Sequence, residues 1–158
     1  GKPVTTMRQY LRDMVSAQID PTIKFDDRAI VLAALGPKML ELAATASQGA
    51  HPYFSSPDHT RMAREIMGPD AMLCVEQKVI FETDADKARE LARTVSKIYQ
   101  GLPNYRNNWL RMGLTEDDIN SLSDKFVDTT FAWGDIESIK ERITSTWMRA
   151  RHTSVFSP

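Results

Sequence analysis

Cysteine is nearly absent from this sequence: Cys74 is the only one among 158 residues, so no internal disulfide can form. A lone thiol fits a reducing compartment, and the expectation is a cytoplasmic protein held together by packing. No apolar stretch approaches the roughly 18–20 residues of a membrane span, and no basic-plus-apolar leader opens the chain, so no membrane partner is expected. Charge of one sign is lacking as well. Twenty Lys and Arg face 21 Asp and Glu, giving a net charge of -1 and a pI near 6.3, with no general pull toward nucleic acid. Only three histidines occur. His51 and His59 are wrongly spaced for one helix face, and no cysteine or carboxylate cluster accompanies them, so no metal is expected.

What the sequence does hold is alternation. The length suits one domain over residues 1–158. Met7, Leu11, Met14 and Val15 recur at helical spacing over about residues 4–18. After the polar connection "IDPTIKFDDR", the run "AIVLAAL" (29–35) is continuous, apolar and short, which predicts a strand buried on both faces. Pro37 suits a first helical turn, and Gly49 reads as the stop of the helix that follows. "AHPYF" (50–54) is a second strand. Ser56 and Pro57 then cap and open a helix over about 58–67.

"MLCVEQKVIFE" (72–82) is a third strand, with Thr83 or Asp84 capping a helix over about 85–99. Short helices follow, with Trp133 and Gly134 as a packed turn, a helix over about 136–149 capped by Asp135, and "HTSVF" (152–156) as a last strand. Such alternation predicts βαβ units around a parallel sheet. A small doubly wound sheet would suit the length. A (β/α)8 barrel needs about 250 residues, so the chain could supply only about half of one. The opening Gly1, leading straight into a helix, is the expected mark of a piece of something larger.

Within this order, "VLAALGPKMLELAATASQGAHPYFSSPDHTRMAREIMGP", "EQKVIFETDADKARELAR", "YQGLPNYRNNWLRMGLTEDDI" and "SDKFVDTTFAWGDIESIKERI" resemble the deazaflavin (coenzyme F420)-dependent oxidoreductases of the luciferase-like monooxygenase superfamily. The resemblance spans residues about 2–143. It implies the C-terminal half of a (β/α)8 barrel, strands five to eight behind one helix, and hydride transfer between F420 and a small organic substrate. Flavin mononucleotide (FMN) is the alternative cofactor, because the same barrel hosts both. The family's first half brings much of the flavin-ring pocket and often a catalytic histidine, so no catalytic residue is assigned in this chain. The closing "MRARHTSVFSP" departs from the family pattern, with Ala150 in place of a glycine and Arg149 and Arg151 beside it.

The resemblance places "AALGP" against the cofactor, making Ala33, Ala34, Leu35, Gly36 and Pro37 the cofactor-binding candidates. Physically, a glycine at the carboxyl end of a strand admits a ligand close to the backbone. The helix after it offers N–H groups and a positive dipole end to an anion, with Lys38 in its first turn. The plainer account is a tight strand-to-helix turn. His51 and Tyr53, at the end of the next strand, are substrate-pocket candidates: an imidazole can exchange a proton near neutral pH, and a phenol can donate or stack. Within "LPNYRNNWLR", Tyr105 and Asn108 are the further candidates, as parts of a cover over the site. The competing account there is a capped loop leading into a helix, with Trp109 packing inward. Inside the third strand, one of Glu76 and Gln77 points inward and requires a polar partner.

A reading from another class also follows from the missing first half. A half-barrel has unpaired strand edges and an uncovered interior, so the chain could be a non-catalytic fragment that self-associates as a homodimer.

Overall fold

The computed structural model describes residues 2–17 and 30–151 of the chain. The connection at 19–28 and the strand expected over 152–156 lie outside the described residues. Helix α1 (Pro3–Ser16) precedes strand β1 (Val31–Leu32), helix α2 (Pro37–Ala46), strand β2 (Gly49–Ala50) and helix α3 (Pro57–Met67). Two short strands follow, β3 (Met72–Leu73) and β4 (Lys78–Ile80), then helices α4 (Ala85–Gln100), α5 (Pro103–Arg111), α6 (Glu116–Ser121) and α7 (Asp124–Thr130). Strand β5 (Phe131–Trp133) and helix α8 (Ile136–Ala150) complete the described residues.

Among the described residues every strand pairing is parallel. β1 lies beside β2 and β2 beside β3, while β4 lies beside β5 with Lys78 opposite Phe131. Hydrogen bonds from His51 N–H to the Leu32 carbonyl (2.8 Å), Cys74 N–H to Ala50 (2.9 Å) and Glu76 N–H to Pro52 (3.2 Å) extend the first ladder past its strands. Helices pack alongside, so the architecture is a partial (β/α)8 barrel.

The helix starts follow local chemistry. Pro37, Pro57 and Pro103 each occupy the first turn, where a missing N–H costs nothing. Ser56, Asp84 and Asp135 accept from the backbone N–H groups of the turns they cap. Thr115 and Asp118 cap α6 reciprocally, and those bonds hold the Asp118 carboxyl well below the usual carboxylate range.

Three expectations need correction. Residues 72–82 do not form one strand: 72–76 follow the edge of β2, whereas 78–80 turn away to pair with β5, as a closing sheet requires. The expected turn at Trp133 is strand β5, and the bend falls at Gly134. Gly49 does not stop α2, whose C-cap is Ser47. It lies within β2, where a Cβ would sit 1.9 Å from the Met72 carbonyl oxygen, so only glycine lets β2 and β3 approach.

Two clusters form the interior. The aliphatic one gathers Leu11, Leu32, Leu40, Leu42, Ala63 and Met67 between α1, α2, α3 and the first ladder. The aromatic one gathers Phe54, Trp109, Phe126 and Phe131 with Ala92 and Ile119. α3 and α8 lie side by side. Arg64 ties them: its Nε donates to the Ala150 carbonyl (2.7 Å) and its Nη1 to the carbonyls of Gly68 (2.6 Å) and Ala71 (2.8 Å).

Candidate functional site

A cavity of about 640 Å³ opens at the carboxyl ends of the first strands, between the 33–37 turn, the 51–53 segment and one side of α5. Ala33, Ala34, Leu35, Gly36 and Pro37 all line it, as do His51, Tyr53 and Tyr105. Asn108 does not. It is fully buried one layer behind, where its Oδ1 accepts from Arg111 Nη1 (3.4 Å) and so helps aim that guanidinium. The segment from Pro103 is helix rather than loop. Its turns send Asn104, Tyr105, Asn107 and Arg111 to the cavity and bury Trp109 behind them.

Gly36 has ordinary extended backbone (φ -88°), so the glycine is not there for a left-handed turn. Its missing side chain makes room. A Cβ at this position would lie 3.3 Å from Arg111 Nη2 and 3.7 Å from Cζ, so the guanidinium is seated on the bare backbone. Arg111 and Lys38 thus stand at the amino end of α2, and among the described residues neither forms an ion pair. Behind the turn His59, 2% exposed, donates from Nε2 to the Leu35 carbonyl (2.8 Å). That carbonyl can only accept, which fixes the tautomer and leaves Nδ1 as a buried acceptor without a partner among the described residues. Burial pushes the His59 imidazole below its ordinary value, and nearby Arg111 pushes it the same way, while the bond to Leu35 opposes both.

Across the cavity, Tyr53 belongs to a polar cluster set in aromatic rings. Lys78 Nζ donates to its phenol oxygen (2.9 Å), and the Tyr99 hydroxyl lies 3.4 Å from it. Lys78 also pairs with Glu76 Oε1 (3.4 Å), while Glu76 Oε2 accepts from the Phe54 N–H (3.0 Å). The ammonium lies 4.2 Å from the Tyr53 ring centre and 4.7 Å from that of Phe54. These bonds from Lys78 and Tyr99 pull the Tyr53 phenol below its ordinary value. The Tyr99 phenol is pushed up to about 12, chiefly by its bond to Tyr53. Tyr105 is raised by burial. His51, beside Tyr53 in the cavity lining, donates from Nδ1 to the Cys74 carbonyl (2.6 Å), which makes Nε2 the acceptor nitrogen of its neutral ring.

Glu76 and Gln77, in the link between β3 and β4, both find partners, from different elements. Gln77 Oε1 accepts from Thr146 Oγ1 of α8 (3.3 Å), while Glu76 joins the tyrosine cluster. Sequence reasoning passed over Lys78, hidden in an apolar run, and considered His59 only as a metal ligand. Arg111 stood there only as the last residue of the stretch "LPNYRNNWLR". Its i+4 and i+7 spacing from Asn107 and Asn104 on one helix is the signal that could have placed it. No three His, Cys, Asp or Glu side chains gather to hold a metal among the described residues. None of their helices is long and apolar enough to cross a membrane.

No curated protein matches the chain. The family model for luciferase-like monooxygenases matches residues 1–152. With parallel strands, the site at their carboxyl ends and a match over nearly the whole sequence, this chain belongs to the luciferase-like monooxygenase family.

Proposed function

We propose that the chain holds coenzyme F420 against the 33–37 turn of an oxidoreductase that moves a hydride between this deazaflavin and a small organic substrate. The observation that carries this reading is the Arg111 guanidinium seated on Gly36 at the amino end of α2, in the wall of a 640 Å³ cavity. Arg111, Lys38 and the first N–H groups of α2 make a donor set for the anionic, phosphate-bearing chain of the cofactor. Ala33, Ala34 and Leu35 offer small apolar surface beside it, suited to a flat ring system. When bound, the cofactor supplies the hydride chemistry; the protein binds, orients and excludes water. His59 fixes the Leu35 carbonyl and with it the shape of the turn.

FMN is the second reading, favoured by the monooxygenase family itself. Its phosphate would meet the same cations. Titrating the chain with F420 and, separately, with FMN, followed by tryptophan fluorescence, distinguishes them. Saturable binding of F420 alone is the expected outcome, and binding of FMN alone would replace it by the flavin reading. Arg111→Met should weaken binding about ten- to a hundredfold, the worth of one charge-assisted bond. Binding by a folded sample that ignores this substitution would remove the turn as the cofactor site.

A further inference from the structure

Tyr53 is held more firmly than a wall residue needs to be. The next residue, Phe54, has φ +55°, a left-handed conformation that costs a bulky residue about 1–3 kcal/mol. Bonds at both of its backbone polar groups keep it there: its N–H is taken by Glu76 Oε2, and its carbonyl accepts from Trp109 Nε1 (3.1 Å). Phe54 is fully buried, so the kink is locked by packing as well. The kink lets two consecutive rings, those of Tyr53 and Phe54, meet the same ammonium.

The hydrogen-bond inventory at the phenol is telling. The Lys78 ammonium can only donate, and the Tyr99 hydroxyl donates to the same oxygen. Two donors occupy the oxygen lone pairs of Tyr53, so its own hydrogen is the one left to give. No described residue accepts it, and the ring lines the cavity. The charged and titratable groups facing Tyr53 are Lys78 from β4, Glu76 beside it, Tyr99 from α4, Tyr105 from α5 and His51 from its own segment. Of these Lys78 is nearest to the phenol oxygen, and its side chain is only 10% exposed, so the favourable charge is poorly screened.

We propose that Tyr53 is the proton donor of the cavity, passing its hydroxyl hydrogen to the oxygen of a bound aldehyde or ketone, with Lys78 and Tyr99 holding the phenolate that remains. The proposal rests on the oxidoreductase reading above. In the step, the Tyr53 O–H bond breaks and a substrate O–H bond forms. The carbonyl carbon gains a C–H bond whose electron pair comes from the reduced flavin-class cofactor. The carbonyl is thereby reduced to an alcohol, and water entering the cavity returns a proton to the phenolate. In the oxidising direction the same phenolate takes the alcohol proton.

The test begins without cofactor. A pH titration at the phenolate absorbance of the 158-residue chain should show one of its four tyrosines ionising below the ordinary value of about 10. Tyr53→Phe should abolish that early step. Lys78→Met should move it upward, and Lys78→Gln, which keeps a neutral donor, should do the same if the first variant does not fold. With cofactor and an aldehyde, Tyr53→Phe should lower turnover about 10²- to 10⁴-fold and leave the cofactor titration unchanged. An early step that survives Tyr53→Phe, or full turnover by that variant, overturns the proposal. Loss of cofactor binding in the unaltered chain would instead strike the function proposed above, a separate readout.

Discussion

The two walls of the cavity are backed by different interiors. Behind the 33–37 turn lies the aliphatic cluster, Leu32, Leu40, Leu42 and Ala43 against α3, where packing is close but indifferent to direction. Behind Tyr53 and Tyr105 lies the aromatic cluster, whose rings meet edge to face. Phe54 and Trp109 lie 5.2 Å apart at 77°, and Trp109 and Phe126 lie 4.8 Å apart at 88°. Such pairs prefer particular angles and add about 0.5–1.5 kcal/mol each beyond burial. On the two proposals above, the difference separates two tasks. A turn that is to receive an anion needs a shape, which aliphatic packing supplies. A phenol that is to give a proton needs a direction, which oriented rings and their few polar handles supply.

The comparison can be broken most severely at Trp109. Trp109→Ala should cost about 3–5 kcal/mol in denaturant unfolding, because it opens a large void and orphans the Phe54 carbonyl. It should also shift the early tyrosine step, since the Phe54 kink loses one of its two anchors. Leu40→Ala, on the other side, should cost about 2–4 kcal/mol and weaken cofactor binding while leaving that tyrosine step in place. Equal shifts of the tyrosine step in both variants would show that the two interiors act as one. The smallest effect sharpens the contrast through pH. The His59 imidazole is pushed down in the folded chain, so below the ordinary value of about 6.5 the unfolded chain binds the proton first. Its contribution is therefore intact above that value and falls as pH drops through it, by at most about 1.4 kcal/mol per pH unit for one proton. His59→Gln should flatten this part of the stability–pH curve, measured by denaturation midpoints between pH 7 and 5.

Helices were the legible part of the sequence, because their signals are local. Pro37 and Pro57 in first turns and the caps Ser56, Asp84 and Asp135 lie within a few residues of the ends they mark. Strands were legible as existing, not in extent. Gly49 looked like a helix stop because its true reason, the Met72 carbonyl, is 23 positions away and across a ladder. β5 escaped because Phe131 follows α7 directly, with no loop to announce a strand. At the candidate site, the family resemblance pointed to the "AALGP" turn and the end of the second strand to His51 and Tyr53, all of which line the cavity. Arg111 and Lys78 were not legible, since their partners Gly36 and Tyr53 come from other elements, 75 and 25 positions away.

Arg64, finally, sets a schedule. Its guanidinium joins α3 to the Ala150 carbonyl, 86 positions later in the chain. During synthesis at about 5–20 residues per second, residue 150 is added roughly 4–17 seconds after residue 64. Through that interval α3 lacks the helix it lies against, and α3 is the element that carries His59 under the 33–37 turn. The 33–37 turn is made early but gains its full support late, so a ribosome paused before α8 would hold a nascent chain with that turn still unbraced.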